Sequence, residues 1–312
     1  MSELVRGAVE TTADLEEHDY DAATPPPAGT AEPRRTEPAY RMLWSALHRA
    51  APPRTLLKVV QYYSPTFRDC VFCYDLGARA ERRIALTIDD APSDEALMHQ
   101  MLDILLAENV KATLLAAAFV IASFASTPGR LATLERAMRE GHELGNHLVH
   151  DVSAFRSSAK QFEDDLLECD ALIASLDPTW RLPNRRRWFR PPRGYLAAHM
   201  NVTLARHGYA AALADVFPLD TEVRSVDWLV QFVLTQAKPG SIVVLHAPDV
   251  RVTAGREHLR QNNVDVLAKL LPDLAAAGFL TGTLTNLADL FDAETAQQRA
   301  AAGGPSHEAP IL

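Results

Sequence analysis

The sequence predicts an α/β protein, a parallel sheet wrapped by helices and curled into a distorted (β/α)7-8 barrel. Three observations predict it. Short apolar runs rich in β-formers alternate with longer amphipathic segments, the connections between them are short, and helical segments repeatedly stop at a glycine just before the next apolar run. Strands joined by single helices lie parallel, because a parallel pair needs a crossover and a helix supplies it. An open doubly wound sheet satisfies the same pattern. In either architecture the polar residues just after the strand C-termini form the site.

Taken in order, residues 84–88 (IALTI) read as the first strand. The helix after it takes Ser93 as N-cap and carries Leu97, Met101, Ile104 and Leu105 at helical spacing. Residues 113–121 (TLLAAAFVI) read as the next strand, 130–140 as a helix closed by Gly141, and 143–145 as a short strand. Residues 159–176 form a long helix with Phe162, Leu166, Cys169, Ile173 and Leu176 on one face. A helix over 199–207 ends at Gly208 and is followed by a strand at 210–214. A helix over 225–237 stops at Pro239-Gly240, and 241–246 (SIVVLH) is the clearest strand. The last repeat is a helix over 257–277, Gly278 and a strand over 279–283.

The flanks differ. Residues 1–52 are rich in Pro, Ala, Thr and acid and offer few large apolar groups to bury, so a mostly disordered extension is expected, with a short docking helix at 39–50 (AYRMLWSALHRA). The barrel is expected over 53–292 and a flexible tail over 293–312. The composition, 47% hydrophobic and 23% charged, is that of an ordinary globule, and a net charge of −9 removes the broad basic footprint of a nucleic-acid binder. No apolar run reaches the roughly 18–20 residues that cross a bilayer, and the first residues lack the apolar core of a signal peptide. A cytoplasmic protein with neither nucleic-acid nor membrane partner is therefore expected. Three cysteines are too few for a disulfide framework.

The strand-end rule then collects candidates. Asp89 and Asp90 follow the first strand; Asn146, His147, His150 and Asp151 follow the third. Trp188-Phe189-Arg190 precedes a Pro pair, Asp215 follows the strand at 210–214, and His246 closes 241–246. Each alone is weak, since loops attract polar residues and an Asp pair suits a helix entrance. Their coincidence over five strand ends points to a site. His147 and Asp151, four apart, share a face if a helical turn follows. With Asp90 they supply two oxygens and one nitrogen and leave positions open for water, a catalytic rather than a structural metal site. Such a set suits Zn²⁺, or alternatively Co²⁺, Mn²⁺ or Ni²⁺.

Four motifs on these residues resemble, in order, those of the NodB-type polysaccharide deacetylases, carbohydrate esterase family 4. They are TIDDAPS (87–93), HELGNHLVHD (142–151), FRPPRGY (189–195) and PGSIVVLHAPD (239–249). Residues 270–290 also resemble the family's closing helix, strand and helix. The resemblance implies a NodB-type barrel and a metal-dependent hydrolase that removes an N-acetyl group from an N-acetylglucosamine-type carbohydrate. By position, Asp89 matches the general base, Asp90 and His147 metal ligands, Arg190 the arginine that orients the base, and His246 the general acid. A buried carboxylate tunes that acid, with Asp215 the first candidate for it and Asp220 next. Arg193, Gly194, Tyr195 and Trp188 fall where the substrate binds.

Three departures stand out. The family's second metal histidine falls at Asp151, with His150 adjacent as its competitor. Leu148 replaces a Ser or Thr, and Arg193 replaces a tyrosine, which sets a long cation at the rim while its backbone N–H remains available to an oxyanion. A deacylase of small non-carbohydrate amides and a catalytically inactive carbohydrate-binding relative are the alternative functions.

Weaker signals read blandly. His142-Glu143 lacks the four-residue histidine spacing of a metalloprotease helix, since His142 and His147 are five apart. Cys70 and Cys73 have no second pair. Six arginines between Arg181 and Arg193 read as a solvated loop, or as a clamp for an acidic polymer. Trp188 is core or groove lining, and Trp228 packs a helix face.

Overall fold

The computed structural model describes residues 53–77, 81–92, 94–116, 128–149, 154, 157–248 and 258–301. The strands are β1 (Arg83–Ala91), β2 (Thr113–Ala116), β3 (Glu143–Asn146), β4 (Arg187–Phe189), β5 (Tyr209–Ala211), β6 (Ile242–His246) and β7 (Leu280–Gly282). They run in the order β5-β4-β3-β2-β1-β6, with β7 also on β1, and every pairing is parallel. Isolated bridges (Val71 to Ala212, Val216 to Val243, Cys73 to Ser241) span the interval between β5 and β6. The result is a curled, barrel-like parallel sheet whose remaining gap is spanned by these bridges, of which Cys73 to Ser241 is antiparallel.

Around the sheet lie α1 (Pro53–Tyr63), α2 (Glu95–Ala107), α3 (Pro128–Arg139), α4 (Ala159–Leu176), α5 (Ala198–Arg206), α6 (Val226–Gln236), α7 (His258–Ala276) and α8 (Leu284–Ala301). Among the described residues the expected helices are in place, and three of them end before left-handed glycines, Gly141 (φ 85°), Gly208 (φ 67°) and Gly278 (φ 80°). Of α4's predicted face, Phe162, Leu166, Cys169 and Ile173 are buried, and Phe162 meets Phe189 edge-to-face at 5.6 Å. Each large apolar side chain so buried contributes about 2 kcal/mol.

The alternation along the strands builds the site. Ile84, Leu86 and Ile88 of β1 face the helices, leaving Ala85, Thr87 and Asp89 for the interior. Ile242, Val244 and His246 of β6, and Trp188 with Arg190 on and just after β4, continue that inner face. Its lower end is apolar: Ala85, Trp188, Ala212 and Ile242 pack with Leu284, Leu287 and Ala288 of α8. Its upper end is polar.

Some expectations are corrected. The helix after β1 is capped by Asp94, which accepts from the Leu97 N–H at 3.1 Å, while Ser93 lies outside the described residues. The strand expected over 113–121 is β2 as far as Ala116; 117–121, like the segment 39–50, lies outside the described residues. The strand expected over 210–214 ends at Ala211, where the chain crosses toward β6. The expected tail from 293 is instead α8 to Ala301, because ETAQQRAA is made of helix formers and no Gly or Pro interrupts it before Gly303. Helix α1 was not anticipated.

His142 sits below the sheet, 3% exposed, where its Nδ1 accepts from the Ala112 N–H at 3.1 Å. That bond requires a neutral ring, and burial pushes the imidazole down from 6.5 to about 4. Because the folded value lies below the unfolded one, stability is complete above pH 6.5 and is lost as pH falls toward 4, by about 3 kcal/mol from this group. Urea unfolding at pH 7 and pH 4.5 should show this loss, and His142→Asn, whose amide oxygen accepts the same bond, should lack that part of the acid sensitivity.

Candidate active site

Consecutive strand residues normally point to opposite faces, so Asp89 and Asp90 reach one cleft only if the strand is broken between them. It is. Asp89 pairs with Leu115 but Ala91 pairs with Ala116, which leaves Asp90 as a bulged extra residue. Asp90 adopts φ 60°, a left-handed conformation that aspartate tolerates better than most residues. The bulge aims both carboxylates into the cleft.

Arg190 holds the first of them. Its guanidinium donates through Nη1 to Asp89 Oδ1 at 2.6 Å and to Thr87 Oγ1 at 2.7 Å. Nε donates to the Ala212 carbonyl at 2.9 Å and Nη2 to the Leu213 carbonyl at 3.0 Å. Burial alone would push the Asp89 carboxyl up, but Arg190, helped by His147 and His246, outweighs it and holds the group below the ordinary carboxylate range.

His147 is placed by the turn after β3. Asn146 Oδ1 accepts from the Leu148 N–H at 2.9 Å and its Nδ2 donates to Leu166 and Tyr209, a side-chain-closed turn that holds Leu148 at φ 63°. Gly145 beside it is tightly enclosed: a Cβ would stand 2.6 Å from Leu115 Cδ1 and 3.3 Å from the Trp188 carbonyl, so a side chain there requires Leu115 to shift. His147 Nδ1 donates to the Arg190 carbonyl at 2.7 Å, which leaves the Nε2 lone pair outward, 3.6 Å from Asp90 Oδ1. A histidine so fixed has the tautomer of a metal ligand. His150 and Asp151, the rival third ligands, lie outside the described residues, and no group of three metal-binding side chains occurs among the described ones.

Beside Asp89, on the adjacent strand β6, stands its register partner His246. Its Nδ1 donates to Asp220 Oδ1 at 2.9 Å, and its backbone N–H to Asp220 Oδ2 at 2.7 Å. Burial opposes charge on the ring, yet the Asp220 carboxylate, with Asp89 and Asp90, pushes it up to about 10. Phe217 lies against the ring at 5.9 Å.

Asp215, the first candidate for the carboxylate on His246, is elsewhere. It accepts from Arg54 Nε at 2.7 Å, Ser241 Oγ at 3.0 Å and the Ile242 N–H at 2.8 Å. The reason is register: Val216 pairs with Val243, so Asp215 stands at the bottom of β6 and the chain climbs to Asp220 before it reaches His246. Trp188 is also corrected. It is buried in the lower core, with Nε1 donating to Thr285 Oγ1 at 3.0 Å, and lines no part of the cleft.

The cleft is about 960 Å³. Arg193, Gly194 and Tyr195 form part of its rim, and Leu57, Val60, Phe67 and Phe72 wall another part. That apolar wall was not legible in the sequence, since it comes from α1 and the segment after it, which carry no motif. The arginine clamp dissolves into ion pairs: Arg181 and Arg187 with Asp170, Arg185 with Asp177, Arg186 with Asp289 and Asp292, and Arg190 with Asp89. Burial pushes the Cys70 thiol up to about 12 and Cys73 to about 11, so neither is a thiolate near neutrality. Trp228 stacks on Phe232 along α6.

Residues 77–212 match the family model described as polysaccharide deacetylase. A peptidoglycan-N-acetylglucosamine deacetylase of Bacillus cereus is 31% identical over 209 residues, covering 66% of this chain and 88% of that protein. A chitooligosaccharide deacetylase of Sinorhizobium fredii is 29% identical over 203 residues, covering 64% and 89%. The fold is similar to that of the peptidoglycan deacetylase PdaC from Bacillus subtilis (TM-score 0.57, 24% identity, 71% of this chain and 97% of that one). It is also similar to a CE4 family pseudoenzyme from Bacillus anthracis (TM-score 0.56, 21% identity), where the match covers 68% of this chain and 66% of that one, just under two thirds.

The Asp220–His246 pair is open to direct measurement. By NMR, the His246 imidazole should keep its proton to about pH 10, and in Asp220→Asn, with burial unopposed by that carboxylate, it should titrate several units lower, toward or below 6.5. An unshifted titration would contradict the assignment.

Proposed function

The chain belongs to the polysaccharide deacetylase family, hydrolases of amide C–N bonds, and we propose that it removes the N-acetyl group from an N-acetylglucosamine-type carbohydrate. The reaction is R–NH–CO–CH₃ + H₂O → R–NH₂ + acetic acid. The observation that carries this reading is the pairing of neighbouring strands: an ionised Asp89 gripped by Arg190 stands beside a protonated His246 backed by Asp220. Those are the two protonation states that amide hydrolysis requires, a base for the water and an acid for the amine.

An acetamide is a poor electrophile with a poor leaving group, so both ends need help. Asp89 takes the proton of the attacking water, and Arg190 keeps the carboxylate oriented and charged. His246 delivers its proton to the departing nitrogen. The Nε2 lone pair of His147 and the carboxylate of Asp90 fit a divalent cation, with Asp151 proposed as the third ligand. Such an ion, Zn²⁺ first and Co²⁺, Mn²⁺ or Ni²⁺ after it, supplies Lewis acidity for the carbonyl and lowers the pKa of water toward about 7. Tyr195, 58% exposed at the rim, offers a ring face to a sugar.

Acetate release from chitooligosaccharides tests the proposal. Asp89→Asn should lower kcat by at least about 100-fold while the protein stays folded. A chelator should abolish turnover and added Zn²⁺ or Co²⁺ should restore it. Release from small acetamides but not from oligosaccharides would move the substrate to non-carbohydrate amides. Release from neither, with metal bound, would make the chain an inactive carbohydrate-binding relative.

A further inference from the structure

The turn that seats His147 is closed by a fully buried amide, Asn146, and each of its bonds has a direction. Oδ1 accepts from the Leu148 N–H at 2.9 Å, while Nδ2 donates to the Leu166 carbonyl at 3.0 Å and to the Tyr209 hydroxyl at 3.1 Å. A hydroxyl that accepts from Nδ2 must send its own proton elsewhere, and Tyr209 donates it to Asp170 Oδ1 at 2.7 Å. A Tyr209 proton turned toward Asn146 would meet the amide N–H, donor against donor.

Asp170 is held as the acceptor for that proton. It is 4% exposed and lies on α4, the helix that also supplies the Leu166 carbonyl. Trp180 Nε1 donates to Oδ1 at 2.8 Å, and Arg181 donates to Oδ2 through Nε at 3.1 Å and Nη2 at 2.7 Å. Arg187 Nη1 donates to Oδ1 at 3.3 Å, and its guanidinium lies over the Tyr209 ring, 5.1 Å from the centroid. Burial pushes the Asp170 carboxyl up, but the bonds from Tyr209, Trp180 and Arg181 outweigh it and hold the group below the ordinary carboxylate range. An ionised carboxylate accepts on both oxygens and offers no proton in return. Burial pushes the Tyr209 phenol up, so the hydroxyl keeps the proton it donates.

The bonds therefore run one way from helix to site. An anion on α4 orients a hydroxyl on β5, the hydroxyl orients an amide at the end of β3, and the amide closes the turn from which His147 donates to Arg190. Asp170 and Tyr209 themselves line no part of the cleft.

We infer that Asp170 is a positioning residue: through Tyr209 and Asn146 it seats the His147 ring with Nδ1–H on Arg190 and Nε2 toward Asp90. The inference rests on the proposed metal site for the use made of Nε2, but the seat itself is a property of the metal-free protein.

NMR of the ¹⁵N-labelled full chain, metal-free and in mildly alkaline buffer, reads that seat directly. The parent His147 ring should be a single Nδ1–H tautomer, set by its bond to the Arg190 carbonyl. Asp170→Asn can donate an amide proton to Tyr209 and so reverse the direction of the chain, and Tyr209→Phe removes its middle member. Each should shift the His147 ring toward the Nε2–H form, and each should weaken Co²⁺ binding, followed by calorimetry, about tenfold. Arg181→Gln, which removes a 61% exposed partner of the same carboxylate, should match the parent in both measurements. A parent-like ring in Asp170→Asn and Tyr209→Phe, an equal change in Arg181→Gln, or undiminished Co²⁺ affinity in variants of a parent that binds the ion would overturn the inference, however much earlier those variants melt. A parent chain that takes up no Co²⁺ while the ring still responds sinks the metal reading and leaves the role of Asp170 standing.

Discussion

Everything at the top of this barrel hangs on one buried guanidinium. Arg190 is 3% exposed and donates to Asp89, Thr87, Ala212 and Leu213, while its own carbonyl receives the proton of His147. One residue thus joins β1, the end of β4, the crossing after β5 and the turn after β3. Burying a charge costs several kcal/mol unless it is paired and its remaining donors are filled. Here Nη1, Nε and Nη2 all have acceptors, so the arginine is stable only where these strands are in register. The same bonds that satisfy it fix Asp89 as an anion and His147 in one tautomer.

The second constraint is steric. The inner face of β1 reads Ala85, Thr87, Asp89, and the small side chains below the aspartate leave the volume that Arg190 fills. The bulge at Asp90 then turns a second carboxylate to the same side. On the adjacent strand His246 carries the reverse charge arrangement, a cation stabilised by Asp220. The site holds a carboxylate kept low by Arg190 and an imidazole kept high by Asp220 on neighbouring strands, which are the base and the acid of the proposed reaction.

Much of this was legible in the sequence where chemistry is local. Asp89-Asp90, His147, Arg190 and His246 each sit at or just past a strand's C-terminal end, and the strands announce themselves by apolar runs such as SIVVLH. What failed was long-range register. Asp215 and Asp220 flank the same short crossing, and only the pairing of Val216 with Val243 decides which reaches His246. Trp188 sits one residue from Phe189 and two from Arg190, so its side depended on which face of β4 looks inward. Helix α1 carries no motif, and its contribution is long-range: Arg54 reaches Asp215, 161 residues away in sequence, and Leu57 and Val60 wall part of the cleft.

The pH dependence of kcat/KM in Arg190→Gln tests the central claim most directly. Without the guanidinium, burial acts on Asp89 with less opposition. The acid limb of the profile should then move up by more than about one unit, and the maximum should fall at least about 100-fold. An acid limb left where it is in the parent protein, with activity near the parent value, would show that Arg190 is not what keeps Asp89 charged.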